Sequence, residues 1–377
     1  MSNILRSLVK ELETPREERP LGSGWLSGAG ALLASLTSFL AAGILHWPEL
    51  FSTPQLHAIE NLAWLRPALL AVMLIAYTLA LLSLMLRENK LLGFVALGLV
   101  MAAALLGGPQ AHDTVQVETP IYFGLDFFIL NMLFTGFLFV PLERLAPRVK
   151  SQTLFRADWR EDLFYFLVST LLVQAIAYLT LAPAHLVEQA THFAALRDTV
   201  GAQPVWLQIV EIMFFTDFVQ YWVHRAFHRF PFLWGFHAVH HSATSMDWLA
   251  SSRMHLMEIV VLRALTAIPG LSLGFTPAAI QAYLLIVFIY SSLLHANIGL
   301  DFNRIGRYLA TPRFHHWHHG VDREAIDVNF AIHFPLFDIL FGTYHMQESA
   351  WPTGYGVSEK VPHGFAAQFR YPFRRKG

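Results

Sequence analysis

Long apolar runs separated by short polar segments dominate the first two thirds of the chain. A bilayer core about 30 Å thick needs about 20 apolar residues in a helix, whose backbone groups must all be bonded internally. Six stretches meet that requirement: Trp25 to Trp47, Leu65 to Leu86, Leu91 to Gly108, Pro120 to Leu142, Leu163 to Ala184 and Val205 to Val223. The third is short and rich in glycine and alanine. From Leu256 to Leu294 only Glu258 and Arg263 are charged, and Pro269, Gly270, Gly274 and Pro277 fall mid-way, so this stretch is expected to be a helical hairpin. Together they predict an all-α, multi-pass transmembrane bundle.

Basic residues remain on the cytoplasmic side of a membrane, which tests the count. Arg6, Lys10, Arg16 and Arg19 precede the first span, Arg87 and Lys90 follow the second, and Arg144, Arg148, Lys150, Arg156 and Arg160 follow the fourth. The loops around Glu49 to Glu60 and Ala111 to Glu118 contain neither lysine nor arginine. With the amino terminus inside, the sixth span leaves the membrane at His224 and the hairpin returns near His295, so the histidine-rich segments and both termini are expected on the cytoplasmic side. Three parts are expected: a membrane extension over 1–119 with about three spans, a catalytic membrane portion over 120–350, and a cytoplasmic tail over 351–377.

Composition narrows the chemistry. The chain is 55% hydrophobic and 14% charged, with a formal charge of -1. No basic stripe recommends a nucleic-acid partner. Cysteine is absent, which removes disulfides, thiolate ligands and a thiol nucleophile, so any metal must be bound by nitrogen and oxygen. The first residues, MSNILRSLVKELETPREERP, mix acids and bases without the apolar core of a secretory signal, and are expected to be a retained cytoplasmic segment.

The 19 histidines cluster: five lie between His224 and His241, and four between His315 and His319. His224 and His228 stand at i and i+4, and share a helical face. His237, His240 and His241 form HxxHH, and His315, His318 and His319 repeat it. These eight candidates exceed what one ion uses, so two metals are expected. His316 breaks the spacing and is expected to point elsewhere. His46, His57, His112, His185, His192 and His363 stand alone and are taken as ordinary hydrogen-bonded residues. The topology puts His255, His295 and Asn297 at the same membrane face, with His295 the better ligand candidate and Asn297 expected beside the metal shell. Asp217, two turns before His224 in an apolar helix, is expected to accept the second ring proton of a ligand histidine. Asp322, Asp327, Asn329 and Asp338 have only proximity to recommend them.

At these motifs the sequence resembles the fatty acid hydroxylase and sterol desaturase superfamily of membrane non-haem di-iron enzymes. The resemblance runs from about Pro141 to Tyr344 and rests on PLERLAPRV, DFVQYWVHRAFH, HAVHHS, RMHLME, HAN, TPRFHHWHH and LFDILFGTY. It implies two irons held by His224, His228, His237, His240, His241, His295, His315, His318 and His319, with oxygen as co-substrate. Leu256 stands where family members often have proline, which weakens the match at His255. The resemblance further implies hydroxylation or desaturation of a sterol, fatty-acyl or related isoprenoid lipid. No cytochrome-like or ferredoxin-like segment occurs in the sequence, so electrons are expected from a separate ferredoxin or cytochrome b5-like carrier. Two other functions compete. A metal transporter would place its ligands near mid-membrane, and a metal-dependent lipid hydrolase would mix carboxylates into the shell.

Overall fold

The computed structural model describes residues 3–374 except 16–17, 21, 54–62, 111–122, 191–193, 301, 303 and 348–349. His57, His112, His192 and Arg16 lie outside the described residues, as do Pro120 and most of the two loops that lack basic residues. Among the described residues the fold is all-helical and no strand occurs. Five helices are long and apolar enough to cross a membrane: Trp25–His46, Leu65–Leu86, Leu91–Gln110, Leu125–Leu145 and Pro277–His295.

Two expected spans differ. The stretch from Leu163 to Ala184 is a pair of helices, Trp159–Leu171 and Gln174–Ala190, bent by 64° where Ser169, Thr170 and Gln174 interrupt the apolar run. Val205 to Val223 lies within a 25-residue helix that falls outside the five, its apolar surface diluted by Gln208, Glu211, Asp217 and Gln220. The expected hairpin stretch is two helices, Leu256–Ser272 and Pro277–His295, which pack on Val205–Arg229 rather than on each other.

The chain divides into two compact units, Met1–Leu133 with Thr153–Phe155 and Thr170–Gln174, and Phe134–Gln152 with Arg156–Ser169 and Ala175–Gly377. In the first, α1 (Asn3–Leu12) precedes three packed helices, α2 (Trp25–His46), α3 (Leu65–Leu86) and α4 (Leu91–Leu105). Small residues line their seams: Ala31, Ala80 and Ala96 in one cluster, Ala42, Ala76 and Ala103 in another. Such residues let helix backbones approach closely where lipid supplies no hydrophobic drive. Large apolar side chains such as Leu70, Leu74, Ile75 and Phe94 face outward.

The second unit comprises α5 (Trp159–Leu171, shared at its end with the first unit), α6 (Val205–Arg229), α7 (Pro231–His241), α8 (Leu256–Ser272), α9 (Pro277–His295) and α10 (Pro312–His318), with α11 (Leu336–Phe341) and α12 (Phe365–Arg374) beyond, and the clustered histidines lie on α6, α7, α9 and α10 or their caps. Proline punctuation sets the geometry. Pro231 forces Phe230 into extended backbone (φ -100°, ψ 120°), ending α6, and opens α7 at its first turn. The chain therefore folds back between HRAFH and HAVHH. Pro277 and Pro312 open α9 and α10 in the same way, behind Thr276 and Thr311, whose side chains accept from Ala279 N and Phe314 N. The turn between α8 and α9 needs Gly274, at φ 89°, because a Cβ there would lie 2.4 Å from Arg197 Cα.

Candidate metal centre

The structure gathers nine histidines into two groups that can each hold a metal ion, with ligand atoms within 4.8 Å of one another in each. One group comprises His224 and His228 from α6, His237 and His241 from α7, and His318 from α10. The other comprises His240 from α7, His295 from the end of α9, and His315 and His319 from α10 and its cap. Each HxxHH motif is thus divided between the groups. Neighbouring residues on a helix diverge by about 100°, so His240 and His241 aim at different centres. His228, His240, His241, His295, His315 and His318 sit in the last turns of their helices and His319 just beyond, where backbone carbonyls carry partial negative charge that favours a cation, while His224 and His237 lie about one turn earlier.

Backbone and carboxylate acceptors fix the ring tautomers. His224 Nδ1 donates to Phe330 O (2.8 Å), His240 Nδ1 to Arg253 O (3.0 Å), His295 Nδ1 to Ser291 O (2.8 Å) and His318 Nδ1 to Val328 O (2.7 Å). His237 Nδ1 meets Glu258 Oε1 at 2.5 Å, and His228 Nδ1 meets Asp327 Oδ1 at 3.1 Å. In each ring the proton is committed to Nδ1, which leaves Nε2 as a lone pair.

Those lone pairs face one another. His224 Nε2 and His237 Nε2 are 3.0 Å apart, and His240 Nε2 and His295 Nε2 are 3.2 Å apart. Two neutral acceptors at that distance repel unless a cation lies between them. Nitrogens about 2.1 Å from a shared ion are about 3.0 Å apart at a right angle and about 3.4 Å apart at a tetrahedral one. Five such contacts span 3.0 to 3.2 Å, which fits right-angled edges. Burial, with neighbouring imidazoles adding to it, holds His237, His240, His241, His315, His318 and His319 well below the ordinary histidine range. They are therefore neutral, the form that binds metal.

Other expected residues are placed differently. His255 is buried but joins neither group: as the N-cap of α8 its Nδ1 accepts from Met257 N (3.1 Å), and its Nε2 donates to Phe369 O (3.0 Å). Both its nitrogens are occupied. Asp217 reaches no histidine ring. Its carboxylate accepts from the backbone of Ile332, His333 and Phe334 at 2.9, 3.2 and 2.7 Å, fixing the segment just beyond Phe330. Asn297 faces away from the metal groups. It clasps Val149 through both main-chain atoms (2.8 and 3.2 Å), while Glu143 accepts from its backbone N–H. His316 lies outside both groups, with Nδ1 2.8 Å from the Tyr355 hydroxyl.

Several supports carried no spacing signal. Asp338 accepts from Phe330 N and Ala331 N (2.8 and 2.9 Å), steadying the carbonyl that holds His224. Arg253, whose carbonyl holds His240, is fully buried and donates to Asp162, which also takes Arg156 (2.5 Å). Glu258 was visible as one of two charges in an apolar run, but nothing in the sequence tied it to His237. The segment after Ala350 packs onto the histidine helices. Gln368 is buried between Tyr165 and Glu161, and Pro372 lies so close to Gly235 that a Cβ there would meet it at 3.3 Å.

Residues 209–343 match the family model described as fatty acid hydroxylase. The chain is 32% identical over 175 residues to an ornithine lipid hydroxylase from Rhizobium tropici, covering 46% of this chain and 53% of that one. It is 28% identical over 148 residues to the human alkylglycerol monooxygenase, 39% of this chain and 31% of the relative. To a methylsterol monooxygenase of Arabidopsis thaliana it is 27% identical over 168 residues, 41% and 51% of the two chains. The chain thus spans about half the length of these relatives, or less. No solved structure matches.

Proposed function

From a chain whose residues 209–343 match the fatty acid hydroxylase model and whose relatives are named as lipid hydroxylases and monooxygenases, we propose a multi-pass membrane di-iron oxygenase of the fatty acid hydroxylase and sterol desaturase superfamily that hydroxylates a lipid. The observation that carries this is the pair of buried histidine groups with Nε2 lone pairs turned inward. In it, His224, His228, His237, His241 and His318 hold one iron, and His240, His295, His315 and His319 the other. Reduced iron would supply activation of oxygen and removal of hydrogen from an unactivated C–H bond.

The protein's own contribution is positional and electrostatic. Neutral imidazoles donate without needing a proton to leave, and helix carbonyl ends balance the added positive charge. The buried Phe330 ring lies 5.0 to 5.8 Å from the rings of His224, His228 and His318, shielding that side from water. Relatives named as hydroxylases and monooxygenases favour hydroxylation over desaturation, and the substrate class is a membrane lipid with an aliphatic carbon to oxidise. Electrons come from a separate ferredoxin or cytochrome b5-like carrier, and the centre and both termini face the cytoplasm. Residues 120–350 form the catalytic portion, 1–119 a membrane extension and 351–377 a cytoplasmic closing segment.

A hydrolase would need carboxylates in the shell, and both groups are all-histidine. A transporter would need ligands at mid-span, whereas these lie at helix ends. The test is elemental analysis of protein purified anaerobically in detergent, with a His240→Ala, His318→Ala double variant. About two irons per chain, lost in the variant together with oxygen-dependent lipid hydroxylation, is the expected result. Wild-type protein that folds without metal would sink the proposal, and zinc alone would redirect it to hydrolysis.

A further inference from the structure

The two histidine groups differ in what stands behind them. His237 is the hub of the five-histidine group, its Nε2 3.0 Å from both His224 Nε2 and His241 Nε2. Behind its other nitrogen lies Glu258, 2% exposed, at 2.5 Å. Among the described residues no lysine or arginine forms an ion pair with this carboxylate, and its second oxygen has no hydrogen-bond partner. A buried carboxylate without a cation is costly. The positive charge placed to offset it is the one the histidine centre is arranged to hold, met directly through His237.

In the four-histidine group no ring is hydrogen-bonded to a carboxylate among the described residues, although His240 also lies within electrostatic reach of Glu258. His240 and His295 donate to neutral carbonyls, and the Nδ1 atoms of His315 and His319 have no partner among the described residues. The other carboxylate in the set, Asp327 behind His228, is 63% exposed, and water screens it. One metal position thus has five histidine donors and a buried carboxyl group hydrogen-bonded behind its hub. Its neighbour has four donors and, among the described residues, no carboxylate hydrogen-bonded to any of its rings.

We propose that Glu258 is a positioning residue that makes the centre unequal: through His237 it renders the five-histidine metal the tightly held, electron-rich member, and leaves the four-histidine metal the exchangeable one. A carboxylate that takes the far ring proton strengthens the imidazole as a donor and orients it, and loss of such a partner typically weakens metal binding about 10–100-fold. The proposal rests on the di-iron assignment above.

The test uses full-length protein in detergent, loaded with iron-57 and read by Mössbauer spectroscopy and chelator competition. For the wild type we expect two quadrupole doublets of equal area, and iron leaving to the chelator in two steps. Glu258→Gln keeps the hydrogen bond to His237 but removes the charge. It should shift one doublet, leave the other in place, and raise the loss of the slowly released iron by about 10–100-fold. A folding defect would move both doublets together, so that outcome counts against the proposal, as would two unchanged doublets. If Glu258→Gln cannot be purified, the wild type alone decides: a single release step for both irons would overturn it. Wild-type protein with no iron at all would overturn the di-iron assignment as well, whereas iron without the asymmetry overturns only this one.

Discussion

The three-helix bundle of the first unit and the histidine-bearing helices of the second are built from similarly apolar sequence, yet they spend their buried polar groups differently. In the bundle, Ser35 and Ser38 are fully buried and donate to Leu32 O and Ala34 O of their own helix, at 3.1 and 2.8 Å. Such bonds are local, and Ser83, also fully buried, reaches only across the helix seam to Gly24 O (3.2 Å). In the second unit the buried groups reach between elements: Asp217 of α6 takes three N–H groups about 115 residues further on, and Asp338 and Glu258 also reach to other segments. Hydropathy alone does not separate the two regions. What separates them is that the histidine-bearing helices are tied to distant segments by buried carboxylates, whereas the bundle relies on serine bonds and small-residue packing, and only the former hold rings to within a few tenths of an ångström.

Asp217→Ala breaks that comparison most severely. It would strand three backbone N–H groups, two of them part-buried and one buried, that now bond to its carboxyl oxygens. Loss of a buried acceptor with its partners left behind costs on the order of 3 kcal/mol. The segment from Phe330 to Phe334 would loosen, and with it the carbonyl that fixes His224. A large fall in thermal midpoint together with depleted metal is expected by differential scanning fluorimetry and elemental analysis. Unchanged metal content would show that the segment is held by other means.

Gly93→Val perturbs the bundle instead. A Cβ at Gly93 would meet Leu84 Cγ at 2.6 Å and the Ala80 carbonyl at 3.0 Å, so α3 and α4 must separate. Overpacking of this kind costs about 1–3 kcal/mol. Stability should fall while iron per chain stays at the wild-type value. A parallel loss of iron would mean that the bundle matters to the centre.

Much of the second unit was legible in the sequence because metal ligation imposes spacing. HRAFH and the two HxxHH motifs named eight of the histidines that gather, and the topology added His295. What spacing does not encode is direction across the chain. The split of each HxxHH between two groups depends on how α7 and α10 meet, and both follow from the Phe230–Pro231 and Thr311–Pro312 breaks. His255 looked like a ligand from its surroundings, but an N-cap position occupies one nitrogen and Phe369 of the closing helix the other. Asp217 was rightly singled out as costly in an apolar helix, and its partners are backbone groups that sequence cannot point to. Glu258 had the same kind of signal, a lone charge in an apolar run. The bend near Leu171 was marked only by scattered polar residues, too weak a cue against a hydrophobic average.

Asp327→Asn is expected to have the smallest effect, and it sharpens the contrast between a buried and an exposed carboxylate. Asp327 stands at φ 58°, a conformation asparagine adopts as readily as aspartate, so the backbone should not change. Its carboxylate is 63% exposed, and the amide oxygen of asparagine can still accept from His228 Nδ1 at the same place. What is lost is a charge already screened by water, and exposed pairs of this kind contribute about 0–1 kcal/mol. Metal retention should therefore fall by no more than about 5-fold, the ratio that about 1 kcal/mol allows, and by less at higher salt. Chelator competition at two ionic strengths measures both quantities. A loss as large as that from Glu258→Gln, insensitive to salt, would mean that proximity to a ligand ring matters more than burial, and the division between the two carboxylates would have to be abandoned.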